Sequence, residues 1–329
     1  MFRVMLTYEL FGSGMERLKR ETDLFVSNSG EIAPYVEQLQ WADAFITRSV
    51  HPDSATLETC TRLKVIGIPG VGYQSYDIDL LNRMGIALVY CPGMNLRSVA
   101  EHAVALCYAL TKRIVEDDRE VHRDNYGVRN SFNHLELLGC HAGVAGFGNI
   151  GRETARLFRA NGMEVYAYDP VAKREQVEEM GYHFCPTLED LLEQSDIVSL
   201  HMPSLPSTYH LLNEEMFSHM REGSYLINCA RGSVVDEEAL LRALQSGRLA
   251  GAGLDVMEKE PFPADHPLLQ LPNVIATPHV AGVTRQAAER THAMVVDSTL
   301  RLLADQWGPQ VAVANPEALE HPRWKNLQR

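Results

Sequence analysis

His141-Ala142-Gly143-Val144-Ala145-Gly146-Phe147-Gly148-Asn149-Ile150-Gly151 runs from a short apolar strand through a glycine-rich turn into a helical stretch that continues to Ala160. G-x-G-x-x-G alone is a weak signal. Here the strand precedes it, the helix follows it, and Asp169 stands 18 residues beyond Gly151 at the end of the next apolar run. That combination is a dinucleotide fingerprint. Gly146 permits the tight turn, Gly148 lets main-chain N–H groups approach a pyrophosphate, and Gly151 allows the helix to pack closely on the strand. The helix from Gly151 follows, and its N-terminus supplies partial positive charge towards phosphate. Asp169 is placed to accept hydrogen bonds from the adenosine ribose hydroxyls. A carboxylate there repels a 2′-phosphate, which favours NAD over NADP, although Lys173 and Arg174 lie nearby.

Outward from this stretch, short apolar runs alternate with helical ones, the pattern of parallel sheets covered by helices. Candidate strands are Arg3–Thr7, Ala44–Thr47, Val65–Ile68, Ala87–Val89, His141–Ala145, Glu164–Tyr168, Ile197–Leu200, Tyr225–Asn228, Gly251–Asp255 and Val274–Ala276. The longest candidate helix is Ser98–Arg123, with Val99, Ala103, Leu106, Ala109 and Leu110 on one face. Two seams stand out: Cys91-Pro92-Gly93, and Thr277-Pro278-His279 to Gly282. They predict a discontinuous domain of residues 1–97 and 292–329 around an inserted nucleotide-binding domain of residues 98–291. The fold class expected is α/β, two doubly wound parallel-sheet domains with a cleft between them. The polar tail after Trp307, with prolines at 309, 316 and 322, reads as an extended or loosely ordered arm.

The 329 residues carry 30 Lys and Arg against 43 Asp and Glu, a formal charge of −13. Such a field repels phosphate backbones and anionic lipid, so no nucleic-acid or membrane partner is expected. It also repels a small anionic substrate, which therefore needs local arginines. No run of about 18 apolar residues exists, and the N-terminus lacks the make-up of a signal peptide. Cys60, Cys91, Cys107, Cys140, Cys185 and Cys229 are scattered, with no metal-ligand spacing. They read as reduced core residues of a cytoplasmic protein, and no metal is expected.

Three polar residues each follow a candidate strand: Arg231 in Asn228-Cys229-Ala230-Arg231-Gly232, Glu260 before Pro261, and His279 in Thr277-Pro278-His279. The C-terminal strand edge is where open α/β sheets bind ligands. Singly, each residue reads as an ordinary surface or loop group. Together, downstream of a dinucleotide fingerprint, they suit the chemistry of a 2-oxo acid. A guanidinium grips the carboxylate and polarises the adjacent carbonyl. An imidazolium protonates the carbonyl oxygen as hydride arrives, and a carboxylate holds that imidazole.

With these residues the chain resembles the D-isomer-specific 2-hydroxyacid dehydrogenases, of the phosphoglycerate dehydrogenase and hydroxypyruvate reductase kind. The resemblance rests on Val65 to Gly72, Cys91 to Asn95 with Val99-Ala100-Glu101-His102, Gly146 to Gly151, and His201-Met202-Pro203. Asn228 to Gly232, Val234 to Glu237, Gly253 to Val256, Glu260-Pro261 and Thr277 to His279 complete it. It implies two Rossmann-like domains, an NAD(H) cofactor and a homodimer paired through the Ser98–Arg123 region. It implies that Arg231 binds the substrate carboxylate, that His279 is the acid/base and that Glu260 is its partner. It assigns the backbone at Val71 and Gly72, and Asn95, to the substrate. To the cofactor it assigns Asp255, at the nicotinamide carboxamide, and Cys229, Ala230 and Arg231 along its length, with His279 and Gly282. It places Asn149 and Ile150 at the pyrophosphate, and His201 and Pro203, with Thr208 near, on the adenosine side.

Two departures from the family pattern matter. Ser204-Leu205 stands where relatives often have Leu-Thr, and Ile68 stands where many carry a polar or basic residue. The substrate is left open between 3-phosphoglycerate/3-phosphohydroxypyruvate and hydroxypyruvate/glyoxylate. Arg48-Ser49 resembles the segment that faces the distal end of a phosphorylated substrate, and Arg48 is otherwise a surface charge. Two alternatives are a formate-dehydrogenase-like enzyme, which would pair its His with Gln rather than Glu260, and a nicotinamide-sensing corepressor-like binding protein, which would not need His279.

Overall fold

A computed structural model describes residues 1–48, 50–73 and 75–325. The chain divides into two compact units, Met1–Asn95 with Val283–Arg329, and Leu96–Gly282.

The first unit holds β1 (Phe2–Leu6), β2 (Thr22–Val26), β3 (Ala44–Ile46), β4 (Val65–Gly67) and β5 (Ala87–Val89) in the order β2-β1-β3-β4-β5, all parallel. Strand residues alternate between two buried faces, as the period of two requires. Val4, Leu6, Ala44, Ile46 and Val65 pack with Leu18, Val295 and Val296. Met5, Phe45, Ile66 and Leu88 pack with Leu39, Leu57 and Leu81. β2 was not anticipated. It is an edge strand with one neighbour and a largely half-exposed pattern, so it lacks the continuous apolar run of the inner strands.

The second unit holds β6 (His141–Ala145), β7 (Glu164–Tyr168), β8 (His183–Phe184), β9 (Ile197–Leu200), β10 (Ser224–Asn228), β11 (Leu249–Leu254) and β12 (Val274–Ala276). Their order is β12-β11-β10-β9-β6-β7-β8, again parallel. This is the doubly wound arrangement, with the chain reversing its direction of growth between β6 and β9. Both sheets thus belong to the expected class. The two-residue β8 is too short to leave a sequence signal.

Three expectations change. The helix Arg285–Leu303 lies wholly in the first unit because Val295, Val296 and Leu302 join that core, so the units divide at Gly282/Val283 rather than at 291/292. The stretch Ser98–Arg123 is two helices, Leu96–Thr111 and Ile114–Val121, separated at Arg113, which adopts φ 49° and pairs with Glu116 at the start of the second. Val99, Ala103, Leu106 and Leu110 are buried in their own unit's core, so that apolar stripe is already covered. The tail is packed rather than extended or loosely ordered from Val313 to Trp324. Val313 bridges to Val89, Asn315 is fully buried, and Trp324 is 2% exposed.

Among the described residues, no helix is long and apolar enough to cross a membrane.

Candidate active site

The dinucleotide turn follows β6 at the reversal of the second sheet. Gly146 has φ 95°, and a Cβ there would lie 2.7 Å from the His201 carbonyl carbon. A Cβ on Gly151 would lie 2.0 Å from the Gly146 oxygen. Only glycine fits either position. The helix Asn149–Ala160 begins at Gly148 with no side-chain cap, so its first N–H groups lack the usual side-chain acceptor. Gly148 and Asn149 are exposed, and a Cβ on Gly148 would meet nothing within 4 Å. Ile150 is half-buried behind them. An open, uncapped helix N-terminus at a sheet reversal fits the pyrophosphate of a dinucleotide.

Asp169 ends β7. Its Oδ2 accepts from Phe147 N–H at 2.8 Å and its Oδ1 from Val171 N–H at 2.9 Å, so the carboxylate also braces the glycine turn. His201 follows β9. Its Nε2 lies 2.9 Å from Ser199 Oγ, while its buried Nδ1 has no partner among the described residues. Burial pushes the imidazole down to about 3, so it is neutral at physiological pH. Pro203 is exposed beyond it. The Thr208 hydroxyl is spent within its own turn, donating to Pro203 O at 2.7 Å and accepting from Leu205 N–H at 2.8 Å.

At the end of β10 the chain makes a turn held by Asn228. Its Oδ1 accepts from Ala230 N–H and its Nδ2 donates to Arg231 O, both at 3.0 Å. Cys229 and Ala230 are buried, and burial pushes the Cys229 thiol up, which keeps it protonated. Arg231 is half-buried. Burial opposes its charge, and Glu260 partly offsets that cost. A guanidinium held this way is short of solvent and suited to an anionic ligand.

Glu260 lies on the loop after β11 and His279 on the loop after β12. His279 Nδ1 lies 2.8 Å from Glu260 Oε2. His279 has φ 53°, a left-handed conformation that side chains rarely adopt, and its N–H is shared between Asp255 O at 2.8 Å and Thr277 O at 2.9 Å. Strain of this kind collects at working sites. Asp255 is fully buried. Its Oδ1 accepts from the Thr277 hydroxyl at 2.5 Å and from Val280 N–H at 2.9 Å, and its Oδ2 from Ala281 N–H at 2.8 Å. Gly282 follows, at the end of the unit. The second unit therefore gathers its fingerprint and its three polar residues along the C-terminal ends of β6, β7, β9, β10, β11 and β12.

The pattern described as "D-isomer specific 2-hydroxyacid dehydrogenase, NAD binding domain" matches residues 104–281. The chain belongs to the D-isomer-specific 2-hydroxyacid dehydrogenase family. It is 36% identical to a glyoxylate reductase of Thermofilum pendens over 97% of this chain and 96% of the relative. It is 38% identical to a D-3-phosphoglycerate dehydrogenase of Archaeoglobus fulgidus over 79% of this chain. There the chain spans about half the length of the relative, 49%. Its fold matches that of a D-lactate dehydrogenase from Aquifex aeolicus, solved with NAD and lactic acid, with a TM-score of 0.81, 31% identity, and coverage of 92% of this chain and 96% of the other.

The remaining residues implied by the family resemblance lie in the first unit. Arg48 is exposed just past β3, and its neighbour Ser49 lies outside the described residues. Val71 and Gly72 are half-exposed in the loop after β4. Asn95 closes the segment after β5, and its buried Oδ1 has no partner among the described residues. Sequence reasoning overlooked Asn228 as a site residue and passed over Tyr8. Parallel pairing of Leu6 with Ile46 carries Tyr8 past the strand end beside Arg48, and the Tyr8 hydroxyl is buried with no hydrogen-bond partner among the described residues. Only strand register reveals that neighbour.

Proposed function

We propose that this chain is an NAD-dependent dehydrogenase that interconverts a D-2-hydroxy acid and its 2-oxo acid. The observation that carries the reading is the His279–Glu260 pair at 2.8 Å, in the same unit as a half-buried Arg231 and an open dinucleotide turn. When bound, the nicotinamide supplies or takes up the hydride. Arg231 binds the substrate carboxylate and draws electron density from the adjacent carbonyl. His279 gives a proton to the carbonyl oxygen during reduction and takes it back during oxidation. Nε2 performs this transfer, because Glu260 holds Nδ1 and stabilises the imidazolium. Asp169 accepts from the adenosine ribose and disfavours a 2′-phosphate, which selects NAD over NADP. Asp255 orders the His279 loop beside the nicotinamide. In the first unit, Val71, Gly72 and Asn95 are the residues that the family reading assigns to the substrate.

The substrate is a short 2-oxo acid: glyoxylate or hydroxypyruvate, or 3-phosphohydroxypyruvate if Arg48 reads a phosphate. Arg48 favours the phosphorylated form, since an acidic protein needs a local cation for a dianion. NADH oxidation against glyoxylate, hydroxypyruvate, pyruvate, 2-oxoglutarate and 3-phosphohydroxypyruvate, with Arg48→Ala in parallel, tests both parts. Turnover of none of these overturns the dehydrogenase reading. A lead for the phosphorylated substrate that Arg48→Ala removes assigns Arg48 to the phosphate. A lead for glyoxylate or hydroxypyruvate that Arg48→Ala leaves intact makes Arg48 a surface charge.

The same reading makes the protein a homodimer of the second unit. Ile114, Val121, Tyr126, Phe132 and Leu138 stand exposed beyond the buried helix, with Phe132 at 90%. A segment this rich in exposed apolar side chains is the surface this reading assigns to the second copy. Light scattering of the wild type and of Phe132→Asp distinguishes a dimer through this segment from a monomer. The six cysteines are all free thiols, which supports a reducing, cytoplasmic setting.

A further inference from the structure

His102 stands on the helix Leu96–Thr111, not on the loops that carry Arg231, Glu260 and His279. Its Nε2 lies 3.0 Å from Thr277 Oγ1 and 3.6 Å from Asp255 Oδ1. The Thr277 hydroxyl donates its one proton to Asp255 Oδ1 at 2.5 Å. Thr277 can then only accept from His102, so Nε2 carries the hydrogen. Asp255 passes the constraint on. It accepts from Val280 and Ala281 N–H with its carboxylate, and from His279 N–H with its carbonyl. One residue thus fastens three consecutive N–H groups and holds His279 in its left-handed conformation. The rotamer of that residue depends on a hydroxyl whose remaining lone pair faces His102.

We propose that His102 is a positioning residue for His279, acting through the Thr277 hydroxyl and the Asp255 carboxylate as an N–H donor. The inference rests on the reading of His279 as the acid/base. Loss of the donor leaves a partly buried hydroxyl oxygen without its second partner and removes the N–H dipole directed at Asp255. The loop at residues 279–281 then loses part of its fastening, and the imidazole departs from its alignment on Glu260. Misplacement of a reacting group costs turnover far more than it costs binding.

The test compares His102→Gln, His102→Asn and Thr277→Val in the full chain with NADH and the best 2-oxo acid. The Gln amide nitrogen reaches the position of Nε2, whereas the Asn amide stops short of it. Asn should lower kcat by roughly tenfold to a hundredfold, with the NADH Kd and substrate KM changing by less than about threefold. Gln should recover most of that loss. Thr277→Val removes the hydroxyl at nearly constant shape and should match Asn. Thr277→Val combined with Asn should be no worse than either alone, because the two act through one link. Equal losses in Gln and Asn, or additive losses in the double variant, overturn the proposal in favour of simple packing. An unchanged kcat in Asn or in Thr277→Val also overturns it. His279→Gln, run alongside, separates the two readings. If it is inactive while the His102 and Thr277 variants are normal, only this inference fails. If it turns over normally, the acid/base reading fails first.

Discussion

Nδ1 of His279 and Oε2 of Glu260 lie 2.8 Å apart although 19 residues separate them in the chain. They sit on loops that follow neighbouring parallel strands, β11 and β12. A carboxylate at Nδ1 stabilises the imidazolium and sets the tautomer, so proton transfer falls to Nε2. His279→Gln should keep NADH affinity and lose roughly 10²–10⁴-fold in kcat, the weight of a placed acid/base. Stopped-flow reduction with a fluorescence titration for NADH checks both halves. Normal turnover removes His279 from the chemistry.

Arg231→Lys keeps the charge and loses the planar fork. A point charge cannot make the paired carboxylate contact, so kcat/KM should fall by at least about a hundredfold, ~2.7 kcal/mol of transition-state binding. Steady-state kinetics with wild-type kcat/KM would take Arg231 out of the site.

Asp169 has two duties, one towards the ribose and one towards Phe147 N–H. Asp169→Ala should weaken NADH binding and raise the NADPH/NADH ratio of kcat/KM, because the repulsion of a 2′-phosphate disappears. Asp169→Asn keeps an oxygen for Phe147 and should retain more NADH affinity than Ala. An unchanged cofactor ratio in both variants would show that Asp169 does not face the ribose.

His201 contributes a pH dependence of stability. Its imidazole is pushed by burial from 6.5 to about 3. The unfolded chain therefore binds a proton that the folded chain refuses. Stability from this group is complete above about pH 6.5 and declines as pH falls from there towards 3, at no more than ~1.4 kcal/mol per pH unit. Urea unfolding midpoints of the wild type and His201→Gln should converge as the pH is lowered across that window. Parallel curves would contradict the buried neutral imidazole.

Asn315 fastens the C-terminal tail to the first unit. Its Oδ1 accepts from Leu88 N–H at 2.7 Å, and its Nδ2 donates to Asn82 Oδ1 and Ile86 O, both at 3.0 Å. Asn315→Ala strands buried main-chain groups and should cost about 1–3 kcal/mol. Chemical unfolding reads this directly. A loss below about 0.5 kcal/mol would mean that the tail adds little to the unit.

The α/β class, the inner strands and the dinucleotide turn were legible because each depends on local spacing. An inner strand of a parallel sheet is apolar on both faces, and the turn needs glycine at Gly146 for its positive φ and at Gly151 for its contact with Gly146. Two of the four edge strands, β2 and β8, were not legible. β2 is half-exposed and β8 is two residues long, so neither carries that pattern. The helix break at Arg113 was hidden because no proline or glycine stands between Thr111 and Arg123 to mark it. The tail looked extended because its anchors, Asn315 and Trp324, are isolated residues whose partners lie over 200 positions away.

By itself the sequence determined the chemistry available to this protein: a guanidinium, an imidazole and a carboxylate after strand ends, downstream of a glycine turn. Only the tertiary structure decided which of those groups meet and what holds them. Side-chain pairing depends on strand order and register, and these are set by long-range burial rather than by neighbours in the chain. Glu260 faces His279 because β11 and β12 pair. His102 reaches Thr277 because the helix Leu96–Thr111 packs across the same two strands.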